Sequence, residues 1–502
     1  MNQTFDIKVD SAERGLVDIK SFSLRRGAVA FLFGESGIGK TIIAKAFYGL
    51  LDSSALRSAV NGQPFENYAV TPEIIRLQKN GFFVFQEPSS HLHPLLKISD
   101  QIREGSLRLA DNEKDIAKHL WDEKNGSGLD SLLKVYPKPY RPSGGEKQRI
   151  LLLMAFKKIQ LFLNDTTEDD AVFIFDEPTG SLDDGYRDRF LAYLFERFRV
   201  KPFTALIITH DYSMISEVYR KHKDILPAID FQELVIDNKK QVQRSFEPNR
   251  YLNWLSEQPK IGTSDNNLPQ LIRVESGIQI FGRRLTFHRN AEDRAEIPLS
   301  LEAGSWIYLK APSGVGKTTV AKIIAGLLRA DTIQMQIGDM SVNEKTPESV
   351  WKNKWWGKIL TMVFQHADES LNQQATVADV FRGLPIRGMN NDILLGHLAS
   401  VFDRQLNKDF LIRKVGHLSG GQKQRLNLLR GMMLDTKILI LDEPLNGLDF
   451  ESVMRVLDKL RAKAKTGTGL IIISHNEEIF DRLIPEENVL YLKAGPVTLK
   501  EA

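Results

Sequence analysis

Short apolar runs bounded by polar or glycine-rich positions recur along this chain, and each has the make-up of a strand buried on both faces. They fall at residues 28–33, 172–175 and 205–208 in the first half, and at 305–309, 359–364, 438–441 and 470–473 in the second. Residues 41–51 carry apolar positions at helical spacing behind a glycine-rich stretch, which predicts strand, loop, helix. The expected fold is therefore α/β, with a mostly parallel sheet core in each half. Residues 87–141 and 366–417 lack the strand rhythm, and 116–120 and 393–401 within them read as helix, so each half should carry a helical subdomain. Residues 234–246 read as a hairpin turning near Asn238 and Lys239. Polar residues 256–268, with Pro259, Gly262, Asp265, Asn266 and Asn267, read as a linker. The expected division is a first domain over 1–245, a linker over 246–270 and a second domain over 271–502.

The halves repeat one ordered set of motifs. The first has GESGIGKT at 34–41, a glutamine at Gln86, PSGGEKQR at 142–149, an apolar run ending in Asp176 and Glu177, and a run closing at His210. The second has APSGVGKT at 311–318, Gln365, LSGGQKQR at 418–425, Asp442 and Glu443, and His475. Lys40 and Lys317 stand 277 positions apart, Gln86 and Gln365 279, and Ser143 and Ser419 276. That near-constant offset is the mark of a duplication. It falls to 266 between Asp176 and Asp442 and to 265 between His210 and His475. An insertion of about ten residues in the first copy is implied, expected as a surface loop around polar residues 164–170.

The chemistry follows from residue types. Polyphosphate needs close backbone approach, several N–H donors and a helix N-terminus facing the anion. Gly34, Glu35, Ser36, Gly37, Ile38, Gly39, Lys40 and Thr41 supply these in one copy, and Ala311, Pro312, Ser313, Gly314, Val315, Gly316, Lys317 and Thr318 in the other. The two lysines should reach the β- and γ-phosphates, and the hydroxyls of Thr41 and Thr318 should ligate Mg²⁺. Asp176 and Asp442, at strand ends, are placed to hold that ion. Glu177 and Glu443 are candidates to orient or deprotonate the attacking water, with His210 and His475 bonding the γ-phosphate. One loop match would arise by chance in a chain this long on the order of 1% of the time; two, each with four ordered companions, do not. Phe287 or His288 could stack on adenine, but an aromatic in the core is an equal reading, and the contact is left unassigned.

Composition narrows the class. At 502 residues the chain leaves about 230 to 250 per copy, one core each. With 42% hydrophobic and 26% charged residues and a formal charge of +3, nothing demands a nucleic-acid partner. The absence of cysteine excludes disulfides and thiolate metal sites. No apolar run reaches 18 residues and the N-terminus has no signal-peptide pattern, so a transmembrane partner is expected as a separate chain.

These motifs resemble those of the ATP-binding-cassette ATPases, in which the Ser-Gly-Gly signature is distinctive. The resemblance covers all but the linker and implies two cassettes closing head to tail, each ATP lying between one phosphate loop and the other signature. It implies that Ser419, Gly420, Gly421 and Gln422 complete the site of Lys40, and that Ser143, Gly144, Gly145 and Glu146 complete that of Lys317. It implies ATP and Mg²⁺ as cofactors, and roles for Gln86 and Gln365 in metal ligation, catalysis and the relay of closure. Residues 85–102, FQEPSSHLHPLLKISDQI, look like the segment behind the glutamine in peptide and nickel importer ATPases. The resemblance thus implies an importer motor at the cytoplasmic face of the membrane, with transmembrane permease subunits and an extracytoplasmic substrate-binding protein as partners. The alternative is a soluble tandem cassette acting on the ribosome, whose connector is a long charged helical hairpin; residues 247–270 are too short and breaker-rich for one. One asymmetry is expected. Ala311 replaces the first loop glycine, at a cost of about 1 kcal/mol if positive φ is needed, and Glu146 puts a carboxylate beside the same nucleotide.

Overall fold

Every apolar run becomes a strand in the computed structural model, which describes residues 3–11, 15–104, 110–121, 127–140, 142–165, 171–180, 184–237, 240–261, 268–312, 314–384, 389–402 and 406–496. The chain divides into two compact units, Met1–Leu252 and Asn253–Ala502.

In the first unit, Ile229–Asp237, Val29–Phe33, Thr204–Ile208, Val172–Asp176 and Phe82–Val84 lie side by side and parallel. The middle three are buried at every position, so side chains cover the sheet on both faces. In the second unit Val489–Pro496, Trp306–Lys310, Gly469–Ile473, Ile438–Asp442 and Leu360–Val363 repeat this order, also parallel. The expected α/β class and parallel core are both present. Among the described residues, helices and tight turns occupy the two stretches expected to be helical, with Ile98–Arg103, Ala110–Trp121 and Ser127–Val135 in one copy and Val377–Phe381, Asn391–Ala399 and Lys408–Ile412 in the other.

The pattern did not anticipate the antiparallel layer. Gln3–Asp10, Gly15–Leu24, Arg57–Val60 and Gln63–Pro64 continue the first sheet, while Leu299–Glu302, Gln270–Val274, Gln334–Ile337 and Met340–Asn343 form a separate sheet in the second unit. Such strands bury one face only. Gln334–Ile337 alternates exposed and buried over four residues, too short to register as periodicity.

Two local expectations change. The insertion is mostly helix: the signature helix runs Gly144–Asn164, 21 residues, against 14 for Gly420–Met433. Its added turns bury Ile159 and Phe162, in line with Ala155 and Phe156 before them, so apolar periodicity continues up to the polar stretch. Residues 166–170 lie outside the described residues. Within the expected linker, Pro248–Glu257 is a helix, with Pro248 at its first position, where a missing N–H is harmless, and Tyr251 buried. Residues 262–267 lie outside the described residues. The hairpin pairs Ile229–Asp237 with Lys240–Ser245, its expected tip, Asn238 and Lys239, also being outside them.

The second unit depends on one close approach. Gly326, just past helix Lys317–Ile324, has φ of 69°, and a Cβ there would lie 2.2 Å from the ring of buried Trp351. Gly326→Ala should destabilise this unit by about 2 kcal/mol through strain and overpacking. Denaturant unfolding followed by tryptophan fluorescence checks this, because every tryptophan except Trp121 lies in the second unit; an unshifted midpoint would refute the packing argument.

Candidate active sites

Strand Val29–Phe33 delivers the chain into the first glycine loop. Gly34 has φ of 141°, and a Cβ there would lie 2.7 Å from the Leu234 carbonyl oxygen, so only glycine fits. The loop turns on a hydrogen bond from the Ile38 N–H to the Glu35 carbonyl at 3.3 Å, and the second loop turns on Val315 and Pro312 at 3.4 Å. Lys40 opens helix Lys40–Tyr48 and is buried, its Nζ donating to the carbonyls of Gly34 at 2.5 Å and Glu35 at 3.0 Å. Lys317 donates likewise to the Ala311 carbonyl. Ala311 is not among the non-glycine residues with positive φ, so its Cβ brings no backbone strain and that half of the expected asymmetry falls away. Ser313 lies outside the described residues. Gln241 went unnoticed in the sequence: its Nε2 donates to the carbonyls of Ile38 at 3.2 Å and Leu16 at 3.1 Å, and its Oε1 accepts from the Asp18 N–H at 2.9 Å. It ties the loop to the antiparallel layer, and no motif marks it.

Asp176 and Asp442 end fully buried strands and are each 1% exposed. Among the described residues, Oδ2 of Asp176 and both carboxylate oxygens of Asp442 are buried without a hydrogen-bond partner. Burial pushes the Asp176 carboxyl up to about 6, against the Thr41 hydroxyl and the charges of Lys40 and Lys45, with Glu177 pushing further up. Burial also raises Asp442, opposed by Thr318, Lys322 and Lys317. Buried, unpartnered oxygens beside a hydroxyl fit a hard divalent cation such as Mg²⁺, which takes few protein ligands and several other oxygens.

Glu177 and Glu443 follow at φ of 48° and 51°, two of the five non-glycine residues with positive φ among the described residues. Each is held there by its N–H on a neighbouring strand, Glu177 on the Ile208 carbonyl at 2.9 Å and Glu443 on the Ile473 carbonyl at 2.8 Å. Strain repeated at the same position in both copies marks a functional constraint. The carboxylates then part company. Glu177 accepts from Gln86 Nε2 at 3.2 Å and pairs with His210 Nδ1 at 3.1 Å. Burial alone would raise its pKa, but the His210 charge and hydrogen bond, with Lys40 and Gln86, reverse this and lower it. Burial works against the charge on His210 too, and Glu177 outweighs it and raises that pKa. Glu443 instead accepts from Ser474 Oγ at 3.2 Å and the His475 N–H at 3.0 Å, with the His475 ring at 3.5 Å. Burial pushes it up to about 7, with Asp442 adding to the rise and His475, Lys317 and Ser474 opposing it. Gln365 is partly buried behind strand Leu360–Val363.

Each signature serine is the N-cap of its helix and forms a reciprocal capping box, Ser143 with Glu146 and Ser419 with Gln422. The Glu146 carboxylate accepts from the Ser143 N–H at 2.7 Å and hydroxyl at 2.8 Å, so it is engaged on its own helix. The Ser-x-x-Glu spacing announced this role. A Cβ on Gly144 would meet nothing within 4 Å, so packing inside this unit does not explain the glycine.

Two copies of one phosphate-binding ATPase site, each with its signature, define the class, and the chain belongs to the ABC transporter family, whose profile matches residues 17–180 and 295–446. It is accordingly an ABC ATPase that binds ATP with Mg²⁺ and hydrolyses it. It is similar to the peptidoglycan transport ATP-binding protein YejF of Agrobacterium fabrum, 27% identical over 96% of this chain and 88% of that one. It is also similar to the glutathione import ATP-binding protein GsiA of Salmonella paratyphi A, 23% identical over 94% and 81%. Among solved structures, RNase-L Inhibitor has the same fold, with a TM-score of 0.60 and 17% identity over 97% of this chain and 89% of that one. No helix among the described residues is long and apolar enough to cross a membrane.

Replacing the buried, unpartnered carboxylates carries a double signature. Asp176→Asn with Asp442→Asn should raise the melting temperature of the metal-free protein by a few degrees, about 1 kcal/mol or more per site, because a buried charge that the nearby lysines and hydroxyl only partly offset is removed. The same change should abolish the added stabilisation by MgATP. Thermal melts with and without MgATP read both; a metal-free protein that melts lower would contradict the electrostatic account.

Proposed function

We propose that this chain is the ATP-hydrolysing motor of an ABC importer, coupling two ATP sites to transport through separate permease subunits. The observation that carries the reading is a groove of about 540 Å³ just behind Gln365, lined by residues that include Ser370, Ala375, Asp379, Arg382 and Arg430. Its counterpart region in the first copy exposes Leu95 and Leu96 at 73% and 47%, whereas Ile98 is core. A groove with charged walls, built from the segment that follows Gln365 in the chain, suits a short amphipathic helix of a membrane subunit. The names of the relatives, which concern peptidoglycan transport and glutathione import, support the direction of the reading for this chain. Cargo of peptide or metal-chelate type fits it, with a substrate-binding protein delivering that cargo and the chain sitting at the cytoplasmic membrane face.

In this mechanism Lys40 and Lys317 bind the terminal phosphates, while Thr41 and Thr318 with Asp176 and Asp442 hold Mg²⁺, joined by Gln86 and Gln365. Glu177 and Glu443 orient the attacking water, and His210 and His475 bind the γ-phosphate. In this reading, as the family resemblance implies, the signature of each copy serves the ATP of the other. ATP favours the closed state because it adds contacts there, and hydrolysis removes them.

Tagged chain extracted in mild detergent should bring down membrane subunits that stimulate its ATPase; stimulation by ribosomes instead would establish the translation alternative. Leu95→Glu with Leu96→Glu should lose membrane stimulation about tenfold while basal ATP binding persists. Glu177→Gln with Glu443→Gln should stop turnover by at least about a hundredfold yet retain ATP. Wild-type turnover in that last variant would remove both glutamates from catalysis.

A further inference from the structure

Beyond its cap and glycines, each signature helix places a lysine at the fourth helical position, Lys147 in Gly144–Asn164 and Lys423 in Gly420–Met433. A cation in the first turn opposes the partial positive charge of a helix N-terminus, where acidic or neutral side chains are favoured. Both lysines reach off their own helix. Lys147 Nζ donates to Ser89 Oγ at 3.0 Å, and Lys423 Nζ to Asp368 Oδ1 at 2.8 Å. Ser89 and Asp368 lie in the tight turns Pro88–Ser90 and Ala367–Glu369, each the third residue after its switch glutamine. The acceptor has changed between the copies, from hydroxyl to carboxylate, while the contact has stayed in place. In the second copy Asn427, one turn further along, donates to the Phe364 carbonyl at 3.2 Å and accepts from Ser370 Oγ at 2.8 Å. The first copy has buried Leu151 at the matching position.

We propose that Lys147 and Lys423 are positioning residues that clasp the start of each signature helix to the segment behind the switch glutamine. A displacement of the glutamine is thereby carried to the signature serine of the same cassette. The inference rests on the reading that this serine serves the ATP bound by the other copy, so that the clasp lets one ATP site adjust the donors presented to the second. The clasp of the second copy is charge-assisted and the tighter of the two. Lys423 is 16% exposed but Asp368 is 67% exposed, and a pair open to solvent on its acid side adds little to folding, so the loss of a clasp registers in turnover more than in stability.

The purified full chain provides the test, with Lys147→Met and Lys423→Met made singly and together and the exchange Lys423→Asp with Asp368→Lys. Affinity for a fluorescent ATP analogue, ATPase kcat and melting temperature are measured for each. The double variant should keep its nucleotide affinity and melt within about 2 °C of wild type. Its kcat should fall by about threefold or more, with Lys423→Met the more damaging single change and the exchange recovering at least about half of the loss. Wild-type kcat in the double variant, or an exchange no better than Lys423→Met alone, overturns the proposal. Should Lys423→Met melt early, Asp368→Asn breaks the same contact from the exposed side and is held to the same outcome. Ser143→Arg with Ser419→Arg separates the two levels. If that pair keeps wild-type turnover, the cross-serving signature is wrong; if it abolishes turnover while the lysine variants do not alter it, the clasp alone is wrong.

Discussion

A carboxylate at the end of a strand buried on both faces is the constraint on which each site depends. Asp176 and Asp442 are the last residues of strands buried at all five positions, and Oδ2 of Asp176 and both carboxylate oxygens of Asp442 are left without a hydrogen-bond partner. Such a group is tolerable only where a cation completes it. Thr41 and Lys40, or Thr318 and Lys317, come to it from the neighbouring loop because the strand that carries each loop lies in the same parallel sheet. The next residue must then leave the strand sharply. Glu177 and Glu443 do so in a left-handed conformation that costs of order 1 kcal/mol or more, and a single hydrogen bond to the adjacent strand fixes each one.

One scaffold has been fitted with two interiors. The residue before each glycine loop is Phe33 in the first copy, stacked on Tyr212 at 4.6 Å, and Lys310 in the second, paired with Glu477 at 2.9 Å and Asp481 at 2.6 Å. Both solutions tie the loop-bearing strand to the helix that follows the closing histidine, one by aromatic area and one by charge. The glutamates that follow the two aspartates differ in the same spirit. The Glu177 pKa is held down by His210 and Gln86 against its burial, while Glu443 is turned toward Ser474 and the His475 backbone and burial pushes its pKa up to about 7. The surroundings of these carboxylates thus differ between the copies, whereas the Ala311 backbone carries no strain and Glu146 caps its own helix.

The sequence alone was enough for the parallel cores, the duplication and the identity of the phosphate-binding chemistry. Those features are local: an apolar run such as 438–441, a glycine loop ahead of a helix, or an offset between repeated motifs needs no tertiary contact to be read. Even the capping role of Glu146 was present as Ser-x-x-Glu. Tertiary structure decided what depends on residues far apart in the chain. It placed Gln241 on the Ile38 carbonyl across 203 positions, paired Glu177 with His210 in one copy and turned Glu443 toward Ser474 in the other, and lodged Phe287 and His288 in the core. It also decided the antiparallel layer and the longer signature helix, because half-buried strands of four residues carry too little periodicity and an insertion shows its length but not its conformation. Burial and pairing are sums over neighbours that only folding brings together, and for that reason the electrostatics of the two sites could not be read from motifs that are nearly the same.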